Sequence, residues 1–166
     1  MKFGLGQPVP RREDPRLLRG GGQYTGDINL PGQLHGIIVR SPYAHARILS
    51  IDTSVASASP GVVAVYTGTD VAADGLGDLP TFAPKLVPLK RPGGEPLFVP
   101  RNRALALDKV AFVGDSVAFV VAQSIDEARD AAELVEVDYE PLPANADTAL
   151  ALTSKAVWDD CPDNIC

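Results

Sequence analysis

Several groups of residues in this 166-residue chain have types and spacings that could do chemistry. His35 and His45 are the only histidines, ten residues apart on two stretches that read as strands, so their imidazoles could meet. A catalytic zinc site takes three protein ligands, and no further ligand-type residue stands at metal spacing from either, so structural roles are the better reading. Glu136, Asp138 and Glu140 look like paired acids for proton transfer. They alternate with Val135, Val137 and Tyr139, which is the pattern of a wet strand face, without the burial that would shift a pKa. Gly20-Gly21-Gly22 invites a phosphate-loop reading, but no Gly-Lys-Ser/Thr follows, and Thr25 stands where a dinucleotide fingerprint needs its last glycine. Lys85, Lys90, Arg91, Arg101 and Arg103 could hold an anion or simply solvate a loop. Cys161 and Cys166 fit neither a disulfide framework nor a Cys-x-x-Cys pair. No nucleophile-elbow motif occurs. The residues therefore predict no catalytic, cofactor-binding or metal-ligating set in the chain.

The stretch Arg40-Ser-Pro-Tyr-Ala-His-Ala-Arg-Ile48 organises the elements around it. Apolar runs lie on both sides, and Pro42 fixes its own φ while pushing Ser41 out of the helical region, so strand, turn, strand reads as a hairpin. Small Ala44 and Ala46 flank His45, leaving Arg40, His45 and Arg47 as donors in a corner that resembles an interface. Residues 1–23, with Pro8, Pro10, Pro15 and the glycine triplet, have no periodicity and predict an extended arm. A short strand is expected near 23–25, then strands at 34–40 and 46–52. A two-turn helix capped by Asp52 or Thr53 and held through Val55 and Ala56 comes next, ended by Pro60-Gly61 before a strand at 62–67.

Thr69-Asp70 opens about one helical turn, after which residues 75–103, with Pro80, Pro84, Pro88, Pro92, Pro96 and Pro100, form a loop too long for a mere connector. The second half is more legible. Lys109 to Val113 alternates, Val117 to Gln123 is a continuous apolar strand, and Ser124-Ile-Asp-Glu127 is a capping box. Ile125, Ala128, Ala131, Ala132 and Val135 share one helix face over about 124–135. Val135 to Glu140 is a strand ended by Pro141, and strand, helix, strand in this order favours a parallel crossover. The fold class is α+β, with a mixed sheet, a few short helices and one longer one.

Composition bounds the function. Hydrophobic residues make up 45% of the chain, enough for a core, and the longest apolar run is far too short to span a bilayer. Met1-Lys2 leads into no signal core, which points to the cytoplasm. Net charge is −6, which disfavours nucleic acid. Its distribution is uneven: residues 1–47 carry +4 and residues 108–166 carry −10. That asymmetry reads as solubility with internal complementarity, or as two ends facing different partners.

The corner motif resembles the signature of the α/β hammerhead domain of molybdenum hydroxylases, the molybdopterin-binding large subunits of the xanthine dehydrogenase, aldehyde oxidase and aerobic carbon monoxide dehydrogenase family. Arg40, Ser41, Pro42, His45 and Arg47 carry it. Arg12-Glu13-Asp14, Arg16, Leu17, Gly20, Tyr24 and Asp27 resemble the family's leading segment, and Asp52, Ala56 and Pro60-Gly61-Val62 its first motif. Val110, Gly114, Val117, Ala118, Val121, Ala122, Ala128, Ala131, Ala132, Val137, Tyr139, Leu142 and Pro143 resemble its second. Asp115-Ser116 departs from it, standing where the family has Gln or Glu followed by Pro.

The resemblance implies an arm at 1–23, a hammerhead at 24–150 and, at 151–166, the start of a linker to cofactor-binding domains. It implies a structural and interface module whose partners are the rest of the large subunit and the iron–sulfur and FAD subunits. The cofactor of that complex is molybdopterin cytosine dinucleotide, held outside these residues. On this reading the chain is a truncated piece or a short reading frame, from a bacterial arrangement with separate subunits. The alternative is a free-standing small-molecule or protein-binding domain without catalysis.

Overall fold

A computed structural model describes residues 6, 10–81, 86, 89–91 and 93–165. Expectations resting on Met1-Lys2, Pro8, Pro84, Lys85, Pro88, Pro92 and Cys166 lie outside that set. The chain divides into two units, Met1–Gln33 and Leu34–Cys166. In the first, α1 (Asp14–Leu17) is one helical turn with Pro15 in its opening positions, where a missing N–H costs nothing. The strand expected near 23–25 is instead a 3-10 turn at Thr25–Asp27, because the Asp27 carboxylate accepts the Tyr24 N–H at 2.9 Å and closes the backbone locally.

The second unit carries β1 (His35–Arg40), β2 (Ala46–Asp52), β3 (Val62–Thr67), β4 (Lys109–Val110), β5 (Ser116–Ala122) and β6 (Glu136–Pro141). They form two three-stranded sheets, ordered β1-β5-β3 and β4-β2-β6, and the pairings described are antiparallel. β5 is central because its run of Val, Ala and Phe can be covered on both faces; Phe119 lies opposite Ile38 on one side and Tyr66 on the other. β2 is central in the other sheet, with Ile48 opposite Tyr139 and Ile51 opposite Val137. Ala46, Ala106, Val110 and Val117 make the buried cluster there, and Ile48, Ile51, Val137 and Tyr139 pack on it.

Two expectations about connectivity are corrected. β1 and β2 are not a hairpin, since each joins a different sheet. The Ser41 N–H goes to the Asp115 carbonyl (2.8 Å) and the Ser41 carbonyl to the Gly114 N–H (2.8 Å), so neither is left to close a β1–β2 turn. Nor are β5 and β6 parallel neighbours. The helix between them, α4 (Ile125–Glu133), lies against β1, β5 and β3, and the chain then leaves for the second sheet. The α+β class and the one longer helix stand.

Smaller differences follow local chemistry. α2 (Ser54–Ser57) is capped by Asp52, whose carboxylate accepts the Ser54 N–H at 2.8 Å, a bond that lowers the Asp52 pKa. Ala56 is buried there, but Val55 is exposed and holds nothing. α3 (Gly68–Ala73) begins before Thr69: Asp70 accepts both the N–H and the hydroxyl of Thr67, at 2.7 Å each, and these bonds, the hydroxyl first, lower its pKa. The strand expected over 109–113 stops at Val110, because the Asp115 carboxylate accepts the Ala111 N–H (3.1 Å) and turns the chain.

At α4 the Ser124 hydroxyl accepts the Glu127 N–H (3.2 Å), but the Glu127 carboxylate meets that same hydroxyl (2.8 Å) where a full capping box would use the Ser124 N–H. Gly61, at φ +75°, turns the chain against this carboxylate, which fills the place a Cβ would occupy. Ala128 and Ala131 are fully buried on the inner face, as the spacing predicts, and Glu136, Asp138 and Glu140 are exposed. An Ala128→Asp variant should accordingly lose several kcal/mol, roughly 3 or more, through a buried charge with no partner. Glu136→Ala should change stability by no more than about 0.5 kcal/mol. Thermal midpoints of the two check this, and equal midpoints would mean the helix face is misassigned.

Candidate functional site

The segment that crosses between the sheets, residues 41–45, is held at both ends. At its start Ser41 is almost completely buried, bonded by its backbone to the turn ahead of β5, and its hydroxyl accepts the Tyr43 N–H at 3.0 Å. Arg40, exposed at the end of β1, donates to the Gly114 carbonyl at 2.8 Å. Gly114 sits at φ +88°, a conformation a side chain would strain, so the turn that receives Ser41 depends on that glycine. Pro42 and Tyr43 face outward. The Tyr43 ring lies 5.1 Å from that of Tyr139, tilted by 51°. Burial pushes the Tyr139 phenol above its usual pKa; a Ser41 side-chain hydrogen bond opposes the rise, and Asp115 and Tyr43 add to it.

At its far end His45 is 5% exposed. Its carbonyl accepts the Leu142 N–H (2.9 Å), and its Nδ1 lies 2.8 Å from the Pro143 carbonyl oxygen. That oxygen only accepts, so Nδ1 carries the proton. Nε2 is buried and has no hydrogen-bond partner among the described residues. Ala46, fully buried, pairs with Val110 on one side and Pro141 on the other, a squeeze its small side chain permits. Arg47 faces out and meets Glu140 at 3.5 Å; with both groups more than half exposed, that pair contributes little to stability.

The five signature residues are thus gathered in one corner, but most of their donors act within the fold. His35 and His45 do not meet across a pair of strands, since β1 and the segment entering β2 belong to different sheets. The carbonyls of Gly114 and Pro143, which receive Arg40 and His45, escaped the sequence reading; only glycine and proline at those positions hint at them. The ion pair between Arg91 and Asp163 spans 72 residues and left no signal at all.

Two open clefts border the corner region. One, of 390 Å³, is lined in part by His45, Arg47, Lys109, Leu142 and Lys155; the other, of 380 Å³, by Phe98, Arg103, Lys109, Phe112, Asp115 and Trp158. Lys109 is paired with Asp159 at 3.2 Å and Arg103 with Asp108 at 3.4 Å, so much of the positive charge is already answered. Among the described residues no group of three His, Cys, Asp or Glu side chains could hold a metal ion. The N-terminus of α4, the place where a helix would receive a phosphate, is filled by Ser124 and Glu127. No helix among the described residues is long and apolar enough to cross a membrane.

Residues 19–143 match the family model described as aldehyde oxidase and xanthine dehydrogenase, a/b hammerhead domain. The chain is 45% identical over 153 residues to the carbon monoxide dehydrogenase large chain of Afipia carboxidovorans, covering 92% of this chain and 17% of that one. It is 41% identical over 162 residues to the nicotine 6-hydroxylase large subunit of Paenarthrobacter nicotinovorans, covering 97% and 19%. The crystal structure of quinoline 2-oxidoreductase from Pseudomonas putida 86 superimposes with a TM-score of 0.74 at 43% identity, over 94% of this chain and 19% of that one. The chain therefore spans less than a fifth of the length of these relatives.

The geometry at His45 predicts that His45→Ala removes a buried hydrogen bond and leaves a cavity, at a cost of about 2–4 kcal/mol. Arg47→Ala should cost less than about 1 kcal/mol. Urea unfolding of the two variants measures the difference.

Proposed function

The chain belongs to the aldehyde oxidase and xanthine dehydrogenase a/b hammerhead family, and on that premise we propose that it is the structural and interface module of a molybdenum hydroxylase large subunit. In this reading residues 24–150 are the hammerhead, residues 1–23 an arm, and residues 151–166 the beginning of the link to domains that hold molybdopterin cytosine dinucleotide. The complex would be an oxidoreductase that hydroxylates a small substrate with water and passes electrons to iron–sulfur and FAD centres. Separate iron–sulfur and FAD subunits, a bacterial source and a cytoplasmic setting belong to the same proposal.

One observation carries it. Relatives whose names specify carbon monoxide, nicotine and quinoline share this module at 41–45% identity over more than nine-tenths of it. A domain common to three such different compounds is suited to holding a subunit together and unsuited to choosing the substrate. The residues themselves support the same division. A dinucleotide cofactor needs backbone N–H groups free to receive its diphosphate, and at α4 the Glu127 N–H already goes to the Ser124 hydroxyl and the Ala128 N–H to the Ser124 carbonyl. These residues do not fit the cofactor, and no chemical step is assigned to them. The signature corner, Arg40, Ser41, Pro42, His45 and Arg47, acts on this proposal as a fold determinant whose exposed members, Arg40, Pro42 and Arg47, remain with Tyr43 for contact with a partner. No observation favours the free-standing binding domain.

The test has two arms. Exchanged for the matching 153 residues of the carbon monoxide dehydrogenase large chain, this chain should give a subunit that still incorporates molybdenum and still oxidises carbon monoxide. The purified chain alone should contain no stoichiometric molybdenum, iron or flavin by metal analysis and visible absorption. Stoichiometric metal in the isolated chain, or a chimera with altered substrate choice, would falsify the assignment.

A further inference from the structure

Residues 157–165 form a compact C-terminal segment built on Asn164, at φ +56° the one non-glycine residue in the left-handed region among those described. Its side-chain oxygen accepts the Val157 N–H (3.0 Å), and its amide donates to the carbonyls of Ala151 (2.9 Å) and Ser154 (3.3 Å). Within the segment Cys161 is 1% exposed, and its thiol lies 3.2 Å from the Ile165 carbonyl. Two ion pairs tie this segment to distant parts of the chain. Asp159 meets Lys109 of β4, and Asp163 meets Arg91, whose side chain is 17% exposed, in the turn bridged by Lys90 and Pro96. Trp158, Asp159 and Asp160 of the segment line the 380 Å³ cleft, together with Phe98 and Phe112.

We propose that residues 157–165 are a releasable strap, closed along this aromatic cleft by the Arg91–Asp163 and Lys109–Asp159 pairs, and that loss of these pairs lifts it while the two sheets stay folded. The partition of forces supports a local opening. Asn164 holds the segment together and to residues 151–154 just before it, whereas the side-chain bonds that tie it to residues 91 and 109 are charged and screened by salt. The strand core is held by apolar burial at Val110, Val117 and Val120, which salt does not weaken. Cys161 is the one residue of the segment that is fully buried, and a segment that buries so little opens below the global unfolding free energy. The inference stands on these contacts and does not depend on the family reading.

Two reporters are built in. Trp158 is the single tryptophan, and Cys161 becomes the single thiol in a Cys166→Ser background. Arg91→Gln and Lys109→Gln remove the anchors without touching the strap. Each should speed labelling of Cys161 by a disulfide reagent roughly two- to fivefold, the range expected for partly exposed ion pairs, and the double variant more than either. Trp158 emission should move to longer wavelength, and sodium chloride should speed labelling of the parent protein while leaving the double variant unchanged. Arg91→Lys should keep most of the protection, and the thermal midpoint of the strands should stay close to the parent's. Equal labelling in all variants, an absence of salt dependence in the parent, or labelling that rises only in step with a lowered midpoint overturns the strap.

Discussion

Four backbone hydrogen-bonding groups, the N–H and carbonyl of Ser41, the carbonyl of His45 and the N–H of Leu142, fix where the chain passes from one sheet to the other. Each is satisfied across the fold, at Asp115, Gly114 or within the His45–Leu142 pair itself. A hairpin between β1 and β2 would be the local solution for this sequence, and it is lost because both strands have larger apolar partners elsewhere. β1 gains β5, whose Val and Ala residues are buried almost throughout, and β2 gains both β4 and β6. The crossing commits buried polar groups of the corner to partners far away in sequence, and for that reason the Arg-Ser-Pro-Tyr-Ala-His-Ala-Arg run reads as a unit. Arg40, Ser41 and His45 each meet a backbone carbonyl or N–H more than seventy residues away in sequence.

The electrostatics of the molecule are mostly local. Asp52 and Asp70 close helix starts, and both hold their carboxyls below the usual range through Ser54 and Thr67. Those carboxylates are most useful when charged, so their contribution is present above the unfolded carboxylate range and fades as pH falls through the lowered folded values. Asp163 behaves alike, with the Ile165 N–H as the largest cause and Arg91 a lesser one. The acidic excess of residues 108–166 is for the most part exposed, on α4 and on the outer face of β6, so it bears on solubility and partner choice more than on the fold.

Periodicity located the elements that satisfy themselves. The Ala128 and Ala131 face of α4, the alternation over 135–140 and the apolar run at 117–122 were legible because burial on one side leaves a pattern in the chain. Pairing was not legible, because a strand's sequence records that one face is buried without recording against which strand. The two-sheet arrangement therefore appeared only in the structure, as did the termination of β4 by the Asp115 side chain, a bond between residues whose types are common in any turn. Of the candidate site, the signature residues were visible as a cluster. Their partners were backbone carbonyls, which carry no residue-type signal.

The strand orders also decide when this domain can fold. β1, β2 and β3 are synthesised before β4, β5 and β6, yet they do not pair with one another: β1 and β3 wait for β5, and β2 waits for β4 and β6. During synthesis of the intervening forty or so residues, up to Asp108, three β-prone segments have open edges and no mate. Pairing at such long sequence separation is slow and leaves those edges exposed to wrong partners. The long proline-rich stretch between β3 and β4 thus prolongs the interval in which those edges lack partners.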